Sequence, residues 1–557
     1  MKTRYEISNA KETSTYFETI DFWENLDKFS SKIKMEERGM TDAGFPLHLV
    51  IIGNLENESF DSARKNNKRV ILINNGIHPG EPDGIDASMM LARDITENKI
   101  KLPDNIVLAI IPVYNIGGML NRSANFRVDQ NGPDEFGSRA NGQNLDLNRD
   151  FIKSDSKNAR SFAEIFHEVN PDVLVDNHVS NGADYQHVMT FLTAQYCRLG
   201  GEMGEYLNKV FEPAIYKSMQ SKGYDLIPYV NVWGGETPDN GWIDSMDSPR
   251  FSSGYGTLWN TFSFVPETHM LKPYHQRVDS TYELMLSLIE FTSKNSEKIK
   301  ELREETNKKN IHSKEFPISW MLDKSKYQEY LLKGYEAGHK TSEVSGLPRL
   351  YYDQSKPFEK MIPLYNYYEP ETFIQKPKAY IIPQAWSEVI ELLQLNQVKM
   401  NQLENDTDIE VEVYTIESYE SSKHAYESHH INSNVKISKS TKNKTFRKGD
   451  WYIPMNQTAN RFLIETLEPQ AQDSYFAWNF FDGILSQKEG FSAYVFEDIA
   501  ADFLKSNPEV RKKLEDQRKS DPEFAKDADA QLEFVFKNSP WFEPAYRQYP
   551  VYRVLEK

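Results

Sequence analysis

The chain has a single cysteine, Cys197, no apolar run as long as a membrane span, and no excess of positive charge. One cysteine excludes an intramolecular disulfide framework and leaves the redox compartment open. The formal net charge of −18 argues against a nucleic-acid partner and against a polybasic membrane surface. Residues 1–6 lack the apolar core of a secretory signal. We therefore expect a cytoplasmic protein, or a periplasmic or secreted one if a signal peptide has been removed.

The first part of the chain alternates between apolar runs and amphipathic stretches. With 557 residues, 39% of them hydrophobic, the chain is too long for one compact core and has material for two domains. The pattern predicts strands at 47–52, 70–77, 105–113, 172–178, 187–192 and 262–267, and helices at 15–34, 83–96, 159–169, 202–222 and 280–307. It therefore predicts an α/β domain over residues 1–315, with a mixed, mostly parallel twisted sheet flanked by helices.

The rest of the chain has a different pattern. Residues 311–368 are rich in Tyr, Pro and Lys and carry mixed signals. Beyond them the pattern predicts strands at 378–383, 408–418 and 450–454, and helices at 386–395, 456–467 and 498–536. We therefore predict an accessory, mixed α/β domain over residues 316–557. Narrowing of a cleft, dimerisation and substrate docking are open roles for it, and the oligomeric state is open as well.

A candidate metal site begins at His78-Pro79-Gly80-Glu81, at the end of the apolar run 70–77. A strand followed by a tight turn would aim the imidazole and the carboxylate at one point above the sheet edge, as a divalent metal requires. His178 ends another predicted strand and completes a three-ligand set that leaves a fourth position for water. Nitrogen and oxygen ligands without a thiolate favour Zn²⁺. The alternative is a turn histidine beside a solvated glutamate.

Two acidic residues suggest how such a metal site would work. Glu267 ends the last predicted strand, and it would take a proton from the attacking water and pass it to the leaving nitrogen. Asp146 would hold the second ring nitrogen of His78 and fix its tautomer. The alternative for Asp146 is a cap of its own loop.

Two arginines and an asparagine suggest substrate contacts. Asn148 and Arg149 stand side by side and suit a carboxylate, because the guanidinium fork can bind it bidentately. The alternative is an arginine paired with Asp150 or Asp146. Arg139 would stabilise the oxyanion of a tetrahedral intermediate, or else face water from its loop.

This ordered set of residues resembles the zinc metallocarboxypeptidase family related to carboxypeptidase A, over about residues 45–295. The resemblance is carried by His78-Pro79-Gly80-Glu81, by Ser138-Arg139-Ala140-Asn141 leading into Asp146-Leu147-Asn148-Arg149, and by His178 and Glu267 at strand ends. It implies a mixed eight-stranded sheet and a peptide substrate with a free carboxylate, from which the C-terminal residue is removed. It also implies roles: zinc on His78, Glu81 and His178, the carboxylate on Asn148 and Arg149, the oxyanion beside Arg139, and Glu267 as general base.

The sequence departs from this family in several places. A tyrosine that closes over the substrate usually precedes the catalytic glutamate, and here Tyr255 lies closer than expected while Tyr229 lies further back. The context of His178 differs from that of the animal digestive enzymes and predicts a divergent bacterial branch. Specificity is expected from Gly241–Gly256, where Arg250 either pairs with an acidic substrate side chain or has a structural role.

Two other functions stay open. A zinc-dependent deacylase of N-acyl amino acids, like the aspartoacylases and succinylglutamate desuccinylases, shares the H-x-x-E and Asn-Arg elements. A catalytically inactive, peptide-binding relative is the third hypothesis, and an intact Glu267 argues against it. His424, His429 and His430 are assigned to a solvated loop, because no carboxylate or thiolate pattern accompanies them.

Overall fold

A mixed sheet forms the centre of the first part of the chain. The computed structural model describes residues 1–53 and 59–556, and within these ranges the sheet has nine strands. Their spatial order is Ile33–Met40, Pro46–Ile52, Ile106–Ile111, Arg69–Asn74, Val173–Asp176, Phe262–His269, Met189–Thr193 and Ile227–Pro228, with His178–Ser180 also paired to Phe262–His269. The central pairs are parallel, and antiparallel pairs lie to either side of them. The predicted mixed sheet is therefore confirmed. It has nine strands rather than the eight that the resemblance implies, and the strand predicted at 172–178 is two strands, which are interrupted at Asn177.

Helices cover the sheet on both faces. They are Arg4–Ile7, Tyr16–Phe29, Phe60–Lys65, Asp83–Thr96, Ile116–Leu120, Lys157–Val169, Tyr196–Leu199, Gly201–Tyr206, Glu212–Ser221, Ser252–Leu258, Tyr274–Lys294 and Ser296–His312. Alternate residues of the Arg69–Asn74 strand pack into two different hydrophobic clusters. Val70 and Leu72 belong to one cluster, and Ile71 and Ile73 belong to the other. Burial on both faces explains why this strand is a continuous apolar run in the sequence.

Two predicted boundaries near the ends of this part were wrong. The helix predicted at 15–34 begins as expected at the Thr15–Glu18 capping box but ends at Phe29, and the strand Ile33–Met40 follows it. The long helix predicted at 280–307 is two helices, Tyr274–Lys294 and Ser296–His312, which meet at Asn295.

The second part of the chain is richer in strands than predicted. The region of mixed signals forms a long hairpin, Gln328–Thr341 with Pro348–Tyr365, to which Trp242–Ile243 adds, and a second pair, Glu315–Leu322 with Tyr368–Gln375. A six-stranded sheet follows, in the order Asn401–Gln402, Trp451–Pro454, Ala379–Ile382, Tyr552–Val554, Thr407–Ser421 and Asn432–Phe446. The helices are Ser387–Leu395, Asn460–Leu467, Ala493–Ser506, Pro508–Ser520 and Ala528–Lys537, so the helix predicted at 498–536 is three. The mixed α/β class is confirmed.

The two parts of the chain share one hydrophobic core. The cluster that holds Leu72 continues through Tyr380 to Trp478, and the rings of Trp259 and Phe462 lie 5.2 Å apart between centroids. A buried ion pair between Arg198 and Glu465 adds to this interface. The boundary between residues 315 and 316 stays a prediction. Within residues 1–53 and 59–556, no helix is both long and apolar enough to cross a membrane.

Candidate active site

Three buried side chains converge where two strands of the central sheet end. His78 follows the strand Arg69–Asn74, Glu81 ends the next tight turn, and His178 opens the short strand His178–Ser180. The Glu81 amide donates to the His78 carbonyl at 2.8 Å and closes that turn. One ligand atom of each residue lies within 4.8 Å of the others. The structure thus brings together the three residues that the sequence marks as a metal group.

The polar atoms of this group fit a metal ion. The Nδ1 atoms of both histidines face Glu81, at 3.3 Å for His78 and 3.0 Å for His178. The Nε2 atom of His78 donates to Asp146 at 2.9 Å, and that of His178 donates to Asp176 at 3.1 Å. Nδ1 of His78 is buried without a hydrogen-bond partner, which is uncommon for a polar atom. Carboxylates on both Nε2 atoms, with both Nδ1 atoms directed at the Glu81 carboxylate, fit the donor set of a zinc site.

The charges within the group depend on one another. Burial alone would raise the pKa of the Glu81 carboxyl, but the charges of Arg127 and His78 hold it well below its usual range. Burial alone would lower the pKa of the His178 imidazole, and the carboxylate of Asp176 raises it well above its usual value. Arg127, whose Nη1 lies 2.7 Å from Glu81 Oε1, was missed in the sequence, because it stands in a glycine- and asparagine-rich loop without a motif.

Asp176 supplies a first prediction. Asp176→Asn is expected to lower the affinity for Zn²⁺ by about 10–100-fold, because the carboxylate orients His178 and increases its basicity. Competition with a metal chelator measures the effect. Asp61→Asn, at an exposed carboxylate of the Phe60–Lys65 helix, is the control. An unchanged Zn²⁺ affinity in Asp176→Asn would contradict the prediction.

Asp146 connects the metal group to the arginines. Its Oδ1 accepts from His78 Nε2 and from the Asn148 amide, each at 2.9 Å, and its Oδ2 accepts from Arg139 Nε at 2.9 Å. Burial alone would raise the pKa of the Asp146 carboxyl, but the hydrogen bond and charge of His78 and the charge of Arg139 hold it well below its usual range. The Asp146 carboxylate thus binds an imidazole through one oxygen and a guanidinium through the other.

Asn148 and Arg149 lie on a 3₁₀ turn, Leu147–Arg149, directly after Asp146. The Ser252 amide donates to Asn148 Oδ1 at 3.4 Å. The Arg149 guanidinium lies 4.4 Å from the centre of the Phe251 ring, and its Nη1 donates to the Asn148 carbonyl at 2.9 Å. The alternative pairing of Arg149 with Asp150 is wrong, because Asp150 instead binds Lys153 at 2.9 Å. The other alternative, a pair with Asp146, is present as a long ion pair of 3.9 Å. We call Asn148 and Arg149 the clamp.

Glu267 shares a sheet face with the metal group. Its Cα is the register partner of the His178 Cα in a parallel pair of strands, so both side chains project to the same side of the sheet, about 5 Å apart at the backbone. Burial raises the pKa of the Glu267 carboxyl to about 8; the charge of His178 lowers it, and that of Glu81 raises it further. Arg139 is half exposed beside this group, and Asp146 raises its pKa against the opposing effect of burial.

The structure separates the two tyrosine candidates. Tyr255 is fully buried, and its hydroxyl donates to Asn396 at 2.7 Å, so it is a core residue. Tyr229 is half-buried, and its pKa is raised by burial and by the charge of Glu267, so it lies within electrostatic range of that carboxyl. Arg250 Nη2 lies 2.6 Å from Asp473 Oδ1, so Arg250 makes a structural ion pair rather than a contact with an acidic substrate.

The histidine loop of the second domain differs from the prediction. His424 and His430 are exposed, as expected of a solvated loop. His429 is half-buried, and its Nε2 lies 2.8 Å from Asp155 Oδ2 in the first part of the chain. The prediction of a solvated loop was therefore wrong for His429.

Known carboxypeptidases are similar in sequence to a part of the chain that includes the metal group. The model of the zinc carboxypeptidase family matches residues 19–203, which hold the metal group and the clamp but not Glu267. Carboxypeptidase 2 of Trichophyton rubrum is 20% identical over 423 residues, which are 73% of this chain and 72% of that protein. Probable carboxypeptidase 2 of Arthroderma benhamiae is 20% identical over 433 residues, 75% of this chain and 76% of that protein.

Solved carboxypeptidase structures match a smaller share of this chain than the two fungal proteins do. A metallo-carboxypeptidase from Burkholderia cenocepacia has 14% identity and a TM-score of 0.38, over 50% of this chain and 70% of that one. Carboxypeptidase A from Helicoverpa armigera has 16% identity and a TM-score of 0.39, over 51% and 74%. The divergent bacterial branch stays a prediction. The match to the zinc carboxypeptidase family model covers the part of the chain that holds the buried His-Glu-His group.

Proposed function

We propose that the protein is a zinc-dependent carboxypeptidase that hydrolyses the last peptide bond of a peptide with a free C-terminal carboxylate. One observation carries the proposal: Asp146 contacts His78, Arg139 and the clamp residue Asn148 at the same time. Asp146 thus connects a metal group, an oxyanion donor and a carboxylate clamp. This arrangement fits a substrate whose scissile carbonyl lies one residue from its terminal carboxylate.

The proposed roles follow from the contacts. Zinc, when held by His78, Glu81 and His178, would polarise the scissile carbonyl and lower the pKa of a water to roughly 7. Glu267 takes a proton from the attacking water and later passes it to the leaving nitrogen. Arg139 donates to the oxygen on which negative charge develops.

The clamp determines which bond is placed at this centre. Asn148 Oδ1 is used by the Ser252 amide, so its Nδ2 is the donor left for substrate. The Arg149 guanidinium is held by Phe251 and by the Asn148 carbonyl. Together they bind the terminal carboxylate, and internal peptide bonds, which lack that charge, are not aligned.

A mass-spectrometric assay tests this function. The purified, zinc-loaded chain is incubated with a peptide library and, separately, with N-acyl amino acids. Loss of single residues from peptide C-termini, and not from C-terminal amides, is expected. Faster release of amino acids from the N-acyl compounds would identify a deacylase, and zinc binding without turnover of either substrate set would identify an inactive relative.

The clamp gives a second prediction. Arg149→Met is expected to raise KM about 10–100-fold for peptides with a free carboxylate, because hydrogen bonds to a charged group contribute about 1.5–3 kcal/mol. The affinity for Zn²⁺ should not change, because Arg149 contacts none of the three metal-binding residues through a hydrogen bond. Arg160→Met is the matched control, because Arg160 is half-exposed on the Lys157–Val169 helix and contacts Ser154 and Glu391 instead of the clamp. An unaltered KM would remove Arg149 from the substrate site.

A further inference from the structure

A loop of the second domain reaches the clamp. Residues 422–431 connect the strands Thr407–Ser421 and Asn432–Phe446, and we call them the clamp loop. Within it Tyr426 and His429 exchange backbone hydrogen bonds of 2.8 and 3.1 Å, which closes a two-residue turn. The turn residues Glu427 and Ser428 have φ angles of 50° and 68°. Tight turns with positive φ at both positions strongly prefer Asn and Gly, so this turn is strained.

Three side chains hold the strained turn against the segment 146–155. The Tyr426 hydroxyl accepts from Arg149 Nε at 2.9 Å. Glu427 Oε2 accepts from the Asp146 amide at 2.8 Å. His429 lies 2.8 Å from Asp155, whose other neighbour is the buried Lys153. The turn is therefore bound to Arg149, Asp146 and Asp155.

The ring of Tyr426 is fixed from the other side. It stacks on Trp478, with centroids 6.3 Å apart and planes 25° apart. The Arg250 guanidinium lies over the same two rings and is bound to the buried Asp473. The hydroxyl that meets Arg149 is thus carried on a ring that packs against Trp478 and Arg250.

We propose that Tyr426 is a positioning residue for the clamp, so that the second domain completes the substrate site. Tyr426 occupies Nε of Arg149, and this bond fixes the plane of the guanidinium above Phe251. The Asn148 carbonyl takes one Nη1 hydrogen. The other Nη1 hydrogen and those of Nη2 are left to meet the two oxygens of the substrate carboxylate, as in a bidentate pair. This inference rests on the proposed carboxypeptidase function.

The test removes only the hydroxyl. Tyr426→Phe in the full-length, zinc-loaded protein is expected to raise KM about 3–10-fold for a peptide with a free carboxylate, with kcat within about twofold of the wild type. Product inhibition by the released amino acid should weaken by the same factor. Tyr419→Phe is the matched control, because Tyr419 lies on the strand before the loop and packs on Phe476.

A second variant separates positioning from a structural role. In an Arg149→Lys background the further change Tyr426→Phe should have no effect on KM, because lysine has no Nε for the hydroxyl to hold. Equal KM values for the wild type and Tyr426→Phe would overturn the proposal, as would the same rise of KM in both backgrounds. Failure of the wild type to release C-terminal residues would instead overturn the proposed function.

Discussion

Glu267→Gln is expected to lower kcat by about 10²–10⁴-fold, the range that a positioned general base contributes. Glutamine keeps the shape of the side chain but cannot accept a proton from the attacking water. Glu267 stands beside His178 in the register of the sheet, and it is not one of the three residues that form the metal group. The affinity for Zn²⁺ and the thermal stability should therefore stay close to those of the wild type.

Three measurements are needed to interpret this result: steady-state kinetics, zinc content by metal analysis, and the melting temperature. Glu267→Asp is the matched comparison, because it keeps the base and withdraws it by about one methylene, and we expect an intermediate loss of kcat. A Glu267→Gln enzyme with wild-type kcat would remove Glu267 from the mechanism. A variant that loses zinc in parallel with activity would show that Glu267 acts on the metal group instead.

The parts of the fold that the sequence predicts are those with a strong hydrophobic pattern. The strand Arg69–Asn74 is buried on both faces, and its apolar run is visible without any alignment. The strand Ile33–Met40 was missed because it lies at the sheet edge with one buried residue, Ile33, among exposed or half-exposed ones. The hairpin Gln328–Thr341 with Pro348–Tyr365 was missed for a related reason, since most of its residues are exposed or half-exposed and burial alternates over only a short stretch of each strand.

In the site too, contacts between residues close in sequence were predicted, and the contacts that the distant clamp loop makes were not. His78 and Glu81 share one turn, and Asp146 precedes Asn148 by two residues, so short patterns predict these neighbours. The bond from the Asp146 amide to Glu427 spans 281 residues of chain, and the bond from Arg149 to Tyr426 spans 277. No composition or spacing encodes a contact of that kind, because the folding of the whole second domain places the loop.

Asp146→Asn is expected to lower kcat/KM by about 10²–10³-fold, through the oxyanion donor and the metal ligand together. An asparagine accepts only on its amide oxygen and donates from its NH₂ group, whereas Asp146 accepts on both oxygens. With its oxygen toward His78, the amide NH₂ faces the Nε–H of Arg139, so two donors meet. With its oxygen toward Arg139, the NH₂ faces His78 Nε2, which moves the histidine proton to Nδ1.

The second orientation removes the metal ligand itself, because Nδ1 of His78 is the atom that faces Glu81. The two orientations are distinguishable. Loss of the oxyanion donor lowers kcat at unchanged Zn²⁺ affinity, whereas a shifted tautomer lowers Zn²⁺ affinity as well, and a chelator titration beside the kinetics separates them. Asp42→Asn is the control, since its carboxylate holds Asn141 and Gln143 in the same loop without contacting the metal group. If Asp146→Asn loses no more activity than Asp42→Asn, then Asp146 does not couple the metal group to Arg139, and the proposed substrate geometry fails with it.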